Sequence, residues 1–189
     1  VVTIRTPRGT EGSARRGKRT GAAPGQEPTT VVLGTSTLTP RRLRDNGVAL
    51  VPSNRAYRGS HPDLTVADCL LAYRSRTRIM NRKRDEAFVA AVLEREGIPA
   101  VPERLARTLS GGQLQRLILA RELASNPAIL ILTEPEWGLD VRSATLLRER
   151  LVEAARAGTA VIVLTDTPDT MAIGGFYDTI LRLKEGRLS

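Results

Sequence analysis

A chain of 189 residues with 41% apolar, 26% charged and only 3% aromatic residues can build one full domain but not two ordinary ones, and its core must rest on Leu, Val, Ile and Ala. The formal net charge of +9 points to anionic partners, and phosphate-handling, Arg-rich proteins carry such a balance without binding nucleic acid. A single cysteine, Cys69, and a single histidine, His61, exclude an internal disulfide, a metal cage and a dithiol pair, which suits the cytoplasm, and no apolar run reaches the roughly 18–20 residues of a membrane span.

In chain order, Val1 to Ile4 is a short apolar run, and its start without methionine or signal peptide reads as a processed or partial chain. Residues 5–30 hold no large aliphatic or aromatic residue, so they cannot bury enough surface to offset the entropy of ordering and are expected to be disordered. Residues 1–30 carry six basic residues against Glu11 and Glu27, a surplus of +4. Val31–Leu33 and Val48–Val51 are expected to be strands among Pro-, Gly- and Arg-rich turns. Thr65 is placed to cap a helix over Val66–Arg74, and Met80–Glu96 repeats its apolar residues at Phe88, Val89, Val92 and Leu93 before stopping at Gly97. Gln113–Ala124 is a third expected helix, ended by Asn126-Pro127. Ala128–Leu132 is uniformly apolar, as a strand buried on both faces must be. A helix over Ser143–Ala157 stops at Gly158, and Ala160–Leu164 is a second apolar strand. This βαβ unit makes the two strands parallel neighbours. The run Ile180–Leu183 and the turn Lys184–Arg187 are expected to close the sheet edge.

Two glycines ahead of an amphipathic helix leave backbone N–H groups where a phosphate approaches without meeting a Cβ. Gly111 and Gly112 stand in that position, and Ser110 adds a hydroxyl. Twenty residues after Gln113, the apolar strand delivers Thr133 and Glu134 at its C-terminal end, where open α/β sheets present their reactive groups. A carboxylate there can orient water toward a γ-phosphate.

The order Leu109-Ser110-Gly111-Gly112-Gln113, apolar strand, Glu134-Pro135, Gly138-Leu139-Asp140 and a second strand ending near Asp166 resembles the signature, Walker B, D-loop and switch of ATP-binding cassette (ABC) nucleotide-binding domains, over residues 31–189. Within the family, Val51-Pro52-Ser53-Asn54-Arg55 with Gly59, and Gly138-Leu139-Asp140-Val141, are similar to the second cassette of bacterial simple-sugar and nucleoside importers. The resemblance implies a P-loop NTPase-like α/β fold with a helical subdomain at about residues 63–125. It implies ATP and Mg2+ as cofactors, with Glu134 as the catalytic carboxylate and Leu109 to Gln113 contacting nucleotide held by an opposite cassette. The implied partners are a second nucleotide-binding domain, transmembrane permease subunits and an extracytoplasmic solute-binding protein, at the cytoplasmic face of the membrane.

The chain also departs from the family pattern. Thr133 stands where an Asp steers magnesium, and a hydroxyl is the poorer ligand for a hard cation. Asp166 takes the place of the switch His and would repel a γ-phosphate, and Ser53 replaces the magnesium-binding Gln. Gly12, Gly17 and Lys18 satisfy the spacing of a P-loop, but Arg19 follows where Ser or Thr is required. The flanks also lack the strand and helix a P-loop sits between. Residues 1–30 are therefore expected to replace a degenerate or missing Walker A region, and an out-of-frame coding segment over residues 5–30 would produce such a mixture. The expected function is an importer cassette whose signature completes a partner's ATP site while its own is impaired. The alternatives are a soluble cassette protein binding nucleic acid through its basic N-terminal tract, or a degenerate, non-folding product.

Overall fold

The computed structural model describes residues 2–5, 40–74, 82–166, 177–181, 183–184 and 187–188. Its centre is a sheet of strands β1 (Val2–Arg5), β2 (Val48–Val51), β3 (Ile129–Thr133), β4 (Ala160–Leu164) and β5 (Thr179–Leu181), in the order β2-β3-β4-β1-β5. Strands β2, β3 and β4 are parallel, with Val48 opposite Ile129 and Thr133 opposite Leu164. Leu130 and Leu132 are fully buried, as expected of a strand covered on both faces. β1 runs antiparallel to both β4 and β5. Among the described residues, β6 (Leu183–Lys184) and β7 (Arg187–Leu188) pair with each other and not with the sheet, so β5 forms that edge of the sheet.

The helices are α1 (Pro40–Asp45), α2 (Val66–Leu71), α3 (Arg82–Arg95), α4 (Gly111–Leu123) and α5 (Val141–Arg156). α1 lies where the sequence suggested turns. Pro40 suits a first helical position, and Leu and Arg are good helix formers. The expected strand at Val31–Leu33 and Met80 at the head of α3 lie outside the described residues. At Thr65 the expected cap is present: its side chain accepts the Asp68 N–H at 3.0 Å, and the Asp68 carboxylate returns to the Thr65 N–H and hydroxyl. α2 packs on α3 and α4, and α4 packs on β2 and α5. One continuous core joins Val66, Leu70, Val89 and Leu93 of the helical part to Leu117, Ile118, Leu130, Leu132, Leu147 and Val163.

Inside α4 the chain buries charge as well as apolar surface. The Glu122 side chain is fully buried and accepts from the Arg44 fork of α1 and from Arg121 Nε and Nη2 at 3.1 and 2.8 Å. Both guanidinium groups lie over the Tyr73 ring, at 3.7 Å (Arg44) and 4.6 Å (Arg121) from its centroid. Arg121 also donates to the carbonyl of Cys69 at 3.4 Å. Two cations and an aromatic face thus compensate one desolvated carboxylate and tie α1, α2 and α4 together. Among the described residues no helix is long and apolar enough to cross a membrane.

Candidate functional site

The parallel strands deliver Thr133 and Thr165 side by side at one end of the sheet, and the site grows from that end. Glu134 follows β3 with φ +45, a left-handed conformation unusual for a residue with a Cβ. Its N–H donates to Leu164 O at 2.8 Å, extending the ladder by one residue. Both carboxylate oxygens are engaged: Oε2 accepts from the Thr165 hydroxyl at 2.9 Å and Oε1 from the Asp166 N–H at 2.6 Å. Cross-strand bonds therefore hold the carboxylate in a backbone conformation that costs about 1 kcal/mol or more. Thr133 is partly buried, and Asp166 and Ser53 are exposed.

The loop from Glu134 to Asp140 turns through Trp137 N–H to Glu134 O at 3.2 Å and Leu139 N–H to Glu136 O at 3.0 Å. Gly138 sits at φ +66, where glycine is free of Cβ strain. Glu136 is paired with Arg148 of α5 at 2.5 and 2.6 Å, which raises the Arg148 pKa. Asp140 caps α5, accepting from the Ser143 N–H at 2.9 Å and hydroxyl at 2.8 Å. These two bonds hold its carboxyl below the ordinary aspartate range.

The Ser110 turn faces this loop. Ser110 and Gln113 form a reciprocal capping box: Ser110 Oγ accepts from the Gln113 N–H at 3.2 Å, and Gln113 Oε1 accepts from the Ser110 N–H at 2.9 Å. The hydroxyl oxygen is thus used while its proton stays available as a donor. Leu109 is partly buried, Ser110 and Gly111 are exposed, and Gly112 is buried, its absent Cβ leaving room for Ser143 of α5. A Cβ on Gly112 would lie 2.5 Å from Ser143 Oγ. The helix begins two residues earlier than the apolar pattern indicated, at Gly111, which lies at the surface.

The turn at Gly111 and Gly112 thus meets Gly138 and Leu139, Glu134 meets Thr165 and Asp166 at the end of the sheet, and the loop from Glu134 to Asp140 joins the two groups. Ser53 is placed just after β2, and Gly12, Gly17 and Lys18 lie outside the described residues. Sequence reasoning missed Thr165 and the Glu136–Arg148 pair. It also missed Arg55, whose guanidinium donates to Pro135 O at 3.4 Å and to Trp137 O across 80 and 82 residues. Arg55 was visible only as one letter of the Val51 to Arg55 motif, and no local spacing signals so distant a contact.

The sequence model of the ABC transporter family matches residues 21–136, more than half of the chain. A "Probable riboflavin import ATP-binding protein" of Treponema pallidum is 50% identical over 126 residues, covering 67% of this chain and 22% of that protein. A glucose import ATP-binding protein of Haloferax volcanii is 33% identical over 159 residues, covering 79% of this chain and 28% of that protein. The chain therefore spans 22% to 28% of the length of these relatives. The fold is similar to a dimeric post-hydrolysis ATP-binding cassette bound to ADP and Pi, with TM-score 0.63 and 23% identity, over 80% of this chain and 66% of that one. At that identity the likeness shows the fold, an α/β nucleotide-binding domain. With the family match over the signature and the strand before Glu134, it establishes that the chain belongs to the ABC transporter family of ATP-binding proteins, whose cofactors are ATP and Mg2+.

Proposed function

We propose that this chain is an importer cassette that lends its signature turn to a nucleotide held by a partner cassette, while its own nucleotide site is impaired. The observation that carries the reading is an asymmetry between two groups. The Ser110-Gly111 turn is exposed and capped, and presents the Ser110 hydroxyl and the Gly111 N–H, whereas the Glu134 carboxylate is already bonded through both oxygens. An exposed glycine N–H beside a hydroxyl at the head of a 13-residue helix fits phosphate oxygens. Among the described residues the donor set for Mg2+ is poor: Thr133 and Ser53 offer hydroxyls, and both oxygens of Glu134 already accept hydrogen bonds. This set does not fit a hard divalent cation, and no step through the metal is assigned to these residues.

The course of β1 supports the same reading. A P-loop follows the C-terminal end of a strand parallel to its neighbours, but β1 is antiparallel and leaves the sheet at Arg5, opposite Val161, away from Glu134. For the solute, the relatives named for riboflavin, glucose and ribose import share a polyhydroxylated small molecule, which supports a sugar- or nucleoside-like cargo. Such a role requires a second cassette and permease subunits at the cytoplasmic face, with a solute-binding protein outside.

The purified chain is expected to hydrolyse MgATP far more slowly than a paired cassette and to co-purify with a multi-spanning membrane protein when expressed with its neighbouring genes. A normal turnover rate abolished by Glu134→Gln would overturn the impaired-site reading. Retention on nucleic acid with a steep salt dependence, and no membrane partner, would favour the soluble alternative.

A further inference from the structure

We infer that Arg55 is a positioning residue for the signature turn: its guanidinium ties the loop after β3 to the turn that opens α4, and so sets where Ser110 and Gly111 present their donors. The base of Arg55 is fixed to α4. It begins a π turn, Arg55–Gly59, in which Asn54 Oδ1 accepts the Tyr57 N–H at 3.2 Å. Ser60 Oγ donates to Arg55 O at 2.9 Å. Gly59, which ends the turn, lies so close to Ile118 of α4 that an added Cβ would come within 2.8 Å of Ile118 Cδ1.

The tip of Arg55 is fixed to the other loop. Nη2 donates to the carbonyls of Pro135 and Trp137. Nη1 lies 3.6 Å from where a Gly111 Cβ would stand, and Gly138 O lies 3.9 Å from the same point. The three groups therefore meet at the signature turn. Burial pulls the Arg55 pKa below the ordinary arginine value, and the two carbonyls replace part of the water it has lost. One nitrogen of the planar fork thus serves both carbonyls while the other keeps an edge against Gly111.

Within the loop, Trp137 N–H and Leu139 N–H bond only to the loop's own carbonyls, and its side-chain ties run to β4 and α5. Glu134 is bonded to Thr165 and Asp166 of the β4 exit, and Glu136 and Asp140 are bonded to α5. Between them, Trp137 is 75% exposed, and its carbonyl is held by Arg55. The importance of Arg55 for nucleotide rests on the proposed function above, but its hold on the loop does not.

Trp137 is the sole tryptophan, so its fluorescence reports this loop in the full-length chain. In Arg55→Gln, steady-state anisotropy is expected to fall toward the value in denaturant and collisional quenching by acrylamide to rise, with the circular dichroism spectrum unchanged. Arg55→Lys keeps the charge but has no second nitrogen to set against Gly111, and is expected to fall between. Wild-type anisotropy and quenching in Arg55→Gln would overturn the inference. If that variant fails to fold, Arg55→Lys with wild-type values would overturn it and reduced anisotropy would support it. No nucleotide enters the readout, so a failure of the importer-cassette reading leaves this result untouched and is seen separately in MgATP hydrolysis.

Discussion

Gly111 and Gly112 are adjacent in the sequence but face different constraints. At Gly111 an added Cβ meets only ordinary contacts, the nearest at 3.6 Å, whereas at Gly112 it meets Ser143 Oγ at 2.5 Å and Ser143 Cβ at 3.0 Å. Gly112→Ala is therefore expected to destabilise the fold by about 1–3 kcal/mol, the usual cost of overpacking, and Gly111→Ala to leave it nearly unchanged. In urea denaturation, Ser143→Gly should recover part of the Gly112→Ala loss in a double-mutant cycle. Additive losses would show that Ser143 is not what excludes a side chain at 112. At this scale the sequence was legible where a motif is local, as in the cap at Thr65. It was silent on the φ of Glu134 and on Thr165 reaching its carboxylate, because strand pairing 31 residues apart creates that contact.

Element by element, the parallel pair β3 and β4 and the helix between them were readable from apolar runs of the right length, within two residues at each boundary. α4 was legible as a helix but not in what it buries. Its apolar residues suggested one packed face, yet Gln115, Arg121 and Glu122 are also buried. The reason is distant: Arg44 arrives from α1, 78 residues earlier, to complete the neutralisation of Glu122. Glu122→Leu is expected to cost about 3–5 kcal/mol, since it leaves two guanidinium groups packed on Tyr73 without their anion. A loss below about 1 kcal/mol in chemical denaturation would show that water compensates the pair. α1 itself escaped the sequence reading because six residues with three arginines carry no readable period.

At the scale of the molecule, the family and fold were legible because the signature and the strand before Glu134 stand in a fixed order, while the role of the N-terminal residues was not. Their composition suggests a segment outside the domain, yet Val2–Arg5 lies between β4 and β5 in the sheet. The short apolar run ahead of a tract without large apolar residues gives no sign of where it pairs, and the register of Val2 with Leu164 and Leu181 supplies it. Deleting residues 1–30 is accordingly expected to abolish the cooperative thermal melt followed by circular dichroism, since β5 loses its neighbour and β4 gains an open edge. A deleted chain that melts like the full one would show that β1 adds nothing to the sheet. The antiparallel course of β1 also has a mechanical consequence. Val2 and Leu181 sit opposite each other at the same end of adjacent strands, so a force drawing these two points apart pulls across the strands and opens their pair like a zipper, one hydrogen bond after another. Force along β3 and β4 in opposite directions would instead load the whole parallel ladder in shear. The sheet therefore resists tension along its parallel core and yields first where β1 meets β5.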